Sequence, residues 1–231
     1  MTLLEYSEKS AETLIPCLRN DDFVRLCNLS LGLHEECSEV AKIIRRPELK
    51  GNYHEQDIDI NHLKEECGNV LWYIATLGKE IGYNLSDIAK SNIQKTYNRY
   101  LKMELEVEKE KLDFKGYQEM AEATLKSDLV DDKQKRIWIS CTGISGECGD
   151  ISKKIKEHVV DSTVLKSDKI KERLGDSLWY LSCICDTFNI QLEEVVKLDL
   201  KKRSDMYNEN GELKSKEENY TNDTEEACID R

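Results

Sequence analysis

Between Leu63 and Ile81, apolar residues fall at positions 63, 67, 70, 71, 74, 77 and 81. Steps of three and four place them on one face of an α-helix, predicted over about Ile60–Ile81 and ended by Gly82. The same periodicity predicts a helix from about Leu3 to Leu18, and another from the Asn20-Asp21-Asp22 cluster to near Pro47. Pro47 cannot continue a helix and disfavours helical backbone in its predecessor. The stretch Glu48–Asp59 is polar, holds Gly51 and Asn52, and reads as a loop. A fourth helix is predicted with Ser86 as its N-cap and Asp87 in its first turn, running on through the charged stretch ELEVEKEK. Beyond about Asn208 the chain is polar, acidic and without period, so residues 209–231 are expected to form a disordered tail.

The pattern then repeats. At an offset of 111 residues LEYSEKSAETL (Leu4–Leu14) falls on KGYQEMAEATL (Lys115–Leu125), with Tyr6 on Tyr117 and Thr13 on Thr124. The same offset sets Glu36, Cys37 and Glu39 on Glu147, Cys148 and Asp150. Further on the offset is 107, and LKEECGNVLWYIA (Leu63–Ala75) falls on IKERLGDSLWYLS (Ile170–Ser182), with Gly68 on Gly175 and Trp72-Tyr73 on Trp179-Tyr180. The change of offset is a four-residue deletion in the middle loop. An all-α fold follows, a tandem duplication of a four-helix unit. Its first copy spans residues 1–110 and its second 111–208. Each unit is marginal alone, so the copies are expected to pack face to face as a pseudo-twofold bundle.

Composition narrows the function. Of 231 residues 35% are charged and 39% hydrophobic, with 2 prolines and a net charge of −12. This mixture suits long amphipathic helices, and the acidic balance argues against a nucleic-acid duplex as partner. No apolar run reaches the roughly 20 residues of a membrane span, and the start MTLLEYSEKSAE lacks the pattern of a signal peptide. Nine cysteines without a CxxC pair read as reduced thiols of a cytoplasmic protein, most of them small core residues.

One stretch carries candidate chemistry. In LHEECSEVAK, Glu36 and Glu39 are three apart and share a helix face, which Glu35 reaches through its i,i+4 relation to Glu39. On the next helix Glu66 and Asn69 are again three apart. If the two helices pack antiparallel, four oxygen-bearing side chains converge between them. Such hard ligands suit Mg²⁺, or Mn²⁺ in its place, which would in turn hold phosphate oxygens and a water. The plain alternative is two amphipathic helices with exposed acids. Matching acids at the same helix phase in the second copy weigh against it.

The order EExxE, loop, ExxD-like motif and apolar run, as seen in GLHEECSEVAK, LKEECGNVLWYIA and LGDSLWYLS, resembles the MazG-like all-α nucleoside triphosphate pyrophosphohydrolases. That superfamily also includes dimeric dUTPases and dCTP pyrophosphatases. An opening Tyr-x3-Ala/Ser-x2-Thr in each copy adds to the likeness, which covers about residues 3–207. The resemblance implies a helical bundle that cleaves a nucleoside triphosphate between its α- and β-phosphates, releasing the monophosphate and pyrophosphate. It implies Glu36, Glu39, Glu66 and Asn69 as the metal ligands, and Glu35 as a supporting or water-orienting residue. It also implies that basic residues of the fourth helix, Lys95 and Arg99, contact phosphates.

The sequence departs from the family pattern in both copies. Asn69 stands where an Asp is expected, and in the second copy Arg173 and Gly146 replace the equivalents of Glu66 and Glu35. Arg173 is expected to pair with Glu147, Asp150 and Asp176 and to take the place of the cation, leaving the first copy as the active site. Further substrate-binding candidates are Lys42, with Arg45 and Arg46 close by, for a triphosphate, Trp72 for stacking a base, and Asn28 for a base edge. Each has an ordinary alternative: a solvated helix face for the cations of both helices, a core position for Trp72. His34 reads as a bystander. The enzymatic reading thus stands beside a rival, a nucleotide-binding, sequestering or regulatory protein that has lost hydrolysis. Whether two such chains pair is left open.

Overall fold

The computed structural model describes residues 1–14, 22–49, 58–128 and 132–206. Their regular structure is eight α-helices: α1 (Leu3–Glu12), α2 (Asp22–Leu49), α3 (Ile60–Glu80), α4 (Leu85–Thr96), α5 (Phe114–Asp128), α6 (Lys133–Val160), α7 (Ser167–Thr187) and α8 (Leu192–Asp205). A π-helical turn, Tyr97–Leu101, follows α4. The expected end of the first helix at Leu18, the loop at residues 50–57 and the acidic tail lie outside the described residues. No described helix is long and apolar enough to cross a membrane.

Local chemistry sets the helix ends. At the start of α1, Thr2 Oγ1 accepts from the Glu5 amide (3.1 Å) while the Glu5 carboxylate accepts from the Thr2 amide (2.8 Å). Asp59 caps α3 by accepting from the amides of Asn61 and His62, each at 3.0 Å. All seven apolar positions picked out on α3 are buried, and Gly82 follows at φ +90°, which a residue with a side chain rarely adopts. Pro47 stands in the last turn of α2, two residues before its end.

Two expectations about the fourth helix need correction. Its N-cap is Asn84, whose side chain accepts from the Asp87 amide (2.9 Å) while Asp87 accepts from the Asn84 amide (3.3 Å). Ser86 lies inside the helix and is buried. Nor does the helix run through ELEVEKEK. It passes into the π turn, Lys102 takes φ +55°, and residues 102–108 are not helical. Leu105 is half-buried and Val107 buried between exposed glutamates, the period-two alternation of an extended segment. This segment returns to the N-terminus, where the Leu3 amide donates to Leu112 O at 3.0 Å.

α2 and α6 each hold 28 residues, α3 and α7 each 21. α2 and α6 pack against each other through Ser30 and Ser152 (Oγ–Oγ 2.9 Å) and Cys37 and Cys148 (Sγ–Sγ 3.5 Å). Each also packs antiparallel on the next helix of its own half, as Arg25–Glu80 and Asn69–Glu36 contacts record for α2 and α3. The last helices cross over. α8 lies along α3, with Lys64 bonded to Glu194 (2.7 Å) and Asp199 against Gly68. α4 lies along α7, where Asn92 sits against Gly175. Any methyl group at Gly68 or Gly175 would stand 3.1 or 3.0 Å from the facing Cβ, so these glycines permit the close approach. The helix that closes each half therefore comes from the other half.

Candidate functional site

Glu36 and Glu66 meet where α2 passes α3, both half-buried. Asn69 Nδ2 donates to Glu36 Oε2 (3.2 Å) and to Glu66 Oε2 (2.9 Å), tying the two carboxylates together. Burial pushes the Glu36 carboxyl up to about 7, and the hydrogen-bonded, like-charged Glu66 pushes it the same way. Burial also raises Glu66, but hydrogen bonds from Glu36 and Asn69, with the Lys202 and His62 charges, outweigh it and hold Glu66 below its ordinary value. Of the two, Glu36 is the one pushed toward its protonated form.

α8 supplies the cations of this cluster. Lys202 Nζ lies 3.5 Å from Asn69 Oδ1. Next to it, the Arg203 guanidinium covers the face of Trp72 at 4.1 Å from the ring centroid. Arg203 is fixed by Asp199 (Nε–Oδ1 2.8 Å), and Asp199 accepts from the Tyr6 hydroxyl at 2.7 Å. This buried chain joins α1 and α8, and its carboxyl is raised by burial. The Trp72 indole N–H donates to Thr13 Oγ1 (2.8 Å) and the residue is 5% exposed. Trp72 is thus a core residue under an arginine lid, and its face is not open to a base.

Of the remaining sequence candidates, Glu39 turns to Lys42, whose Nζ donates to both of its oxygens at 2.9 Å. Glu35 and Asn28 are exposed on α2. His34 is likewise exposed, whereas His62, one turn before Glu66, has Nε2 3.1 Å from Glu66 Oε1. The structure therefore brings together Glu36, Glu66 and Asn69, and not Glu39. Among the described residues no group of three or more His, Cys, Asp or Glu side chains surrounds one metal position. The donor set still suits a hard cation in part. Two half-buried carboxylates gathered on one amide are oxygen donors a dication would bind, and turning the Asn69 amide over would present its oxygen.

Lys95 and Arg99 lie elsewhere. α4 carries them to the second half, where Lys95 pairs with Asp176 and lies 3.9 Å from Glu172. Arg173 ion-pairs with Glu147 (3.3 Å), Asp150 (3.3 Å) and Asp176 (3.9 Å), so cations of the chain itself sit among these acids. Burial and the neighbouring Asp176 raise the Glu147 carboxyl, against the pull of Arg173.

Sequence reading missed Lys202, Arg203 and His62. Lys202 was open to detection, because it falls on Lys95 at the 107-residue offset, and His62 stands at i,i+4 to Glu66.

Residues 26–103, about a third of the chain, match the family described as the MazG nucleotide pyrophosphohydrolase domain. Over this segment the chain is similar to the MazG family. The match spans α2, α3 and α4, and so contains Glu36, Glu66 and Asn69 of the cluster. The MazG segment does not contain α8, whose Lys202 and Arg203 complete that cluster. No curated protein and no solved structure matches the chain.

Proposed function

We propose that the chain is a Mg²⁺-dependent nucleoside triphosphate pyrophosphohydrolase with its working site at Glu36, Glu66 and Asn69, hydrolysing a (d)NTP to the (d)NMP and pyrophosphate. The observation that carries the reading is the Glu36–Glu66 carboxylate pair, tied together by Asn69 within the MazG segment and faced by Lys202. Glu36, Glu66 and the turned-over Asn69 amide would hold the dication, with Glu39 joining on release from Lys42. Bound there, the dication would supply neutralisation of the phosphate oxygens.

The residues of the chain do the rest. Lys202, held beside Asn69 by α8, meets the negative charge of the triphosphate. Glu36 would give up its proton when a cation is held there, leaving it and Glu66 both as carboxylates. Glu35, one position before Glu36 and exposed, would orient a water on the α-phosphate. Attack there breaks the α–β anhydride. The water oxygen stays with the monophosphate and pyrophosphate leaves. Lys42, once its hold on Glu39 is given up, is a second cation for the phosphate chain.

A second reading rests on a specific contact. With Asn69 donating to both acids and Glu39 held by Lys42, the site has two carboxylates fewer than the family pattern. A protein of this kind would bind the nucleotide without cleaving it. Pyrophosphate release from a panel of nucleoside triphosphates with Mg²⁺ separates the two. Release supports hydrolysis; Mg²⁺-dependent binding without release supports sequestration.

A further inference from the structure

Exposed apolar side chains gather at one end of the α2–α6 pair. Phe23 (51% exposed) and Leu31 (65%) on α2 border a groove with Val160 (67%) at the end of α6. The groove has two hollows that meet at Phe23 and Val159. The larger, about 500 Å³, is lined by Cys27, Leu31, Ile155 and Val160, and the smaller, about 440 Å³, by Leu26 and His158. Lys153 and Lys156 stand at the edge of the larger hollow, both exposed, and among the described residues neither makes an ion pair. Helix packing does not demand such a surface. At the 111-residue offset Phe23, Cys27 and Leu31 fall on Gln134, Trp138 and Thr142, polar at the two exposed positions and bulky at the half-buried one. A contiguous apolar surface rimmed by charge marks an interaction site.

We propose that the groove is the docking site of the chain's own residues 217–229, with Tyr220 and Ile229 in its two hollows and the neighbouring glutamates on Lys153 and Lys156. Charge selects this occupant first. In a chain of net charge −12, lysines without acids beside an apolar groove suit a segment that joins apolar anchors to carboxylates. Residues 217–229 read EENYTNDTEEACI, with a glutamate pair just ahead of Tyr220 and another just ahead of the run that ends at Ile229. Reach selects it too. Arg203, in the last turn of α8, covers Trp72, and the next residue, Tyr73, packs its ring on Gly32 beside Leu31. α8 thus ends level with the groove and within two helix widths of it, about 20–25 Å. The eleven residues from Met206 to Glu217 can span up to about 36–40 Å. Such a tether keeps the segment at an effective concentration in the millimolar range, so a few weak contacts suffice. The apolar anchors supply the affinity, because exposed ion pairs add little, and the lysines set the direction of the segment. No residue of the Glu36 cluster takes part, so the docking holds whether or not the chain hydrolyses a nucleotide.

The test is crosslinking of the full chain with a water-soluble carbodiimide, which joins a carboxylate to a touching amine as an amide with loss of water. An equal mixture of isotope-labelled and unlabelled chains separates links within a chain from links between chains. Mass spectrometry of the digest is expected to find Lys153 or Lys156 joined to Glu217, Glu218, Glu225 or Glu226 of the same chain. Leu31→Asp leaves both lysines in place and should cut the yield of these links about tenfold, the effect of losing one buried leucine side chain. Tyr220→Ala combined with Ile229→Ala should do the same. Because these two positions lie beyond the eight helices, that variant decides the matter even if Leu31→Asp disturbs α2. The proposal is overturned if the same carboxylates join the exposed Lys9 or Lys115 as often, if no link forms, or if the links persist undiminished in both variants. It is equally overturned if they join labelled to unlabelled chains, which would give the groove to a second copy.

Discussion

Glu36 is the residue on which most turns, because its proton and a dication compete for the same oxygens. Its carboxyl is raised above the ordinary value of 4.5 to about 7, so the folded chain binds more protons than the unfolded one between those values. The stability this group contributes is therefore complete below about pH 4.5 and is lost as pH rises through about 7. Glu66, held below its ordinary value, acts in the opposite sense, and its contribution is lost only as pH falls below the ordinary carboxylate range. Loading a dication removes the Glu36 proton, so the rise in melting temperature given by Mg²⁺ should be larger at about pH 8 than at about pH 6. Glu36→Gln should flatten that difference, and thermal melts at the two pH values check it. Asn69→Asp restores the carboxylate of the family pattern and should raise Mg²⁺ affinity in titration. Unchanged affinity would mean that the Asn69 oxygen is not a ligand. Lys202→Ala should lower turnover by about 10²-fold, as for loss of one charge-stabilising donor, with helical circular dichroism intact.

Helices separate what could be read in advance from what could not. α3 was legible because its seven apolar positions all face the core, and a stripe that long admits one phase. The candidate pair on α2 and α3 was legible for a related reason, since antiparallel neighbours set Glu36 opposite Asn69. Glu39 was not, because a carboxylate three residues before Lys42 can turn either to its neighbour helix or to that ammonium, and spacing does not choose. The end of α4 was misjudged where charge density was read as helix. Leu105 and Val107, two apart, carried the signal of an extended segment. Least legible was the crossing of α4 and α8, because hydrophobic phase shows that a helix is covered on one face and not which half covers it. Gly68 tests that crossing. A methyl group there would stand 3.1 Å from Asp199 Cβ, so Gly68→Ala should push α8 from α3 at a cost of about 1–3 kcal/mol. Calorimetry should show the lowered melting temperature, together with weaker Mg²⁺ binding as Lys202 withdraws.

At the scale of the molecule, the two clusters differ in charge. The first cluster gathers two carboxylates and an amide, with a lysine lent by the other half. The second has taken up Arg173 and Lys95 among its acids, and a guanidinium at such a position opposes a dication by several kcal/mol in a partly buried setting. On the proposed function, Mg²⁺-dependent hydrolysis falls to one site per chain, and residues 111–206 lend it α8 and bury the apolar faces of the first helices. Pyrophosphate release from a nucleoside triphosphate panel, measured side by side on the parent chain, Glu36→Ala and Glu147→Ala, tests this most directly. Mg²⁺-dependent release is expected from the parent, none from Glu36→Ala, and nearly full release from Glu147→Ala, whose cost falls on stability. Release that survives Glu36→Ala, or that vanishes in a stably folded Glu147→Ala, would contradict it.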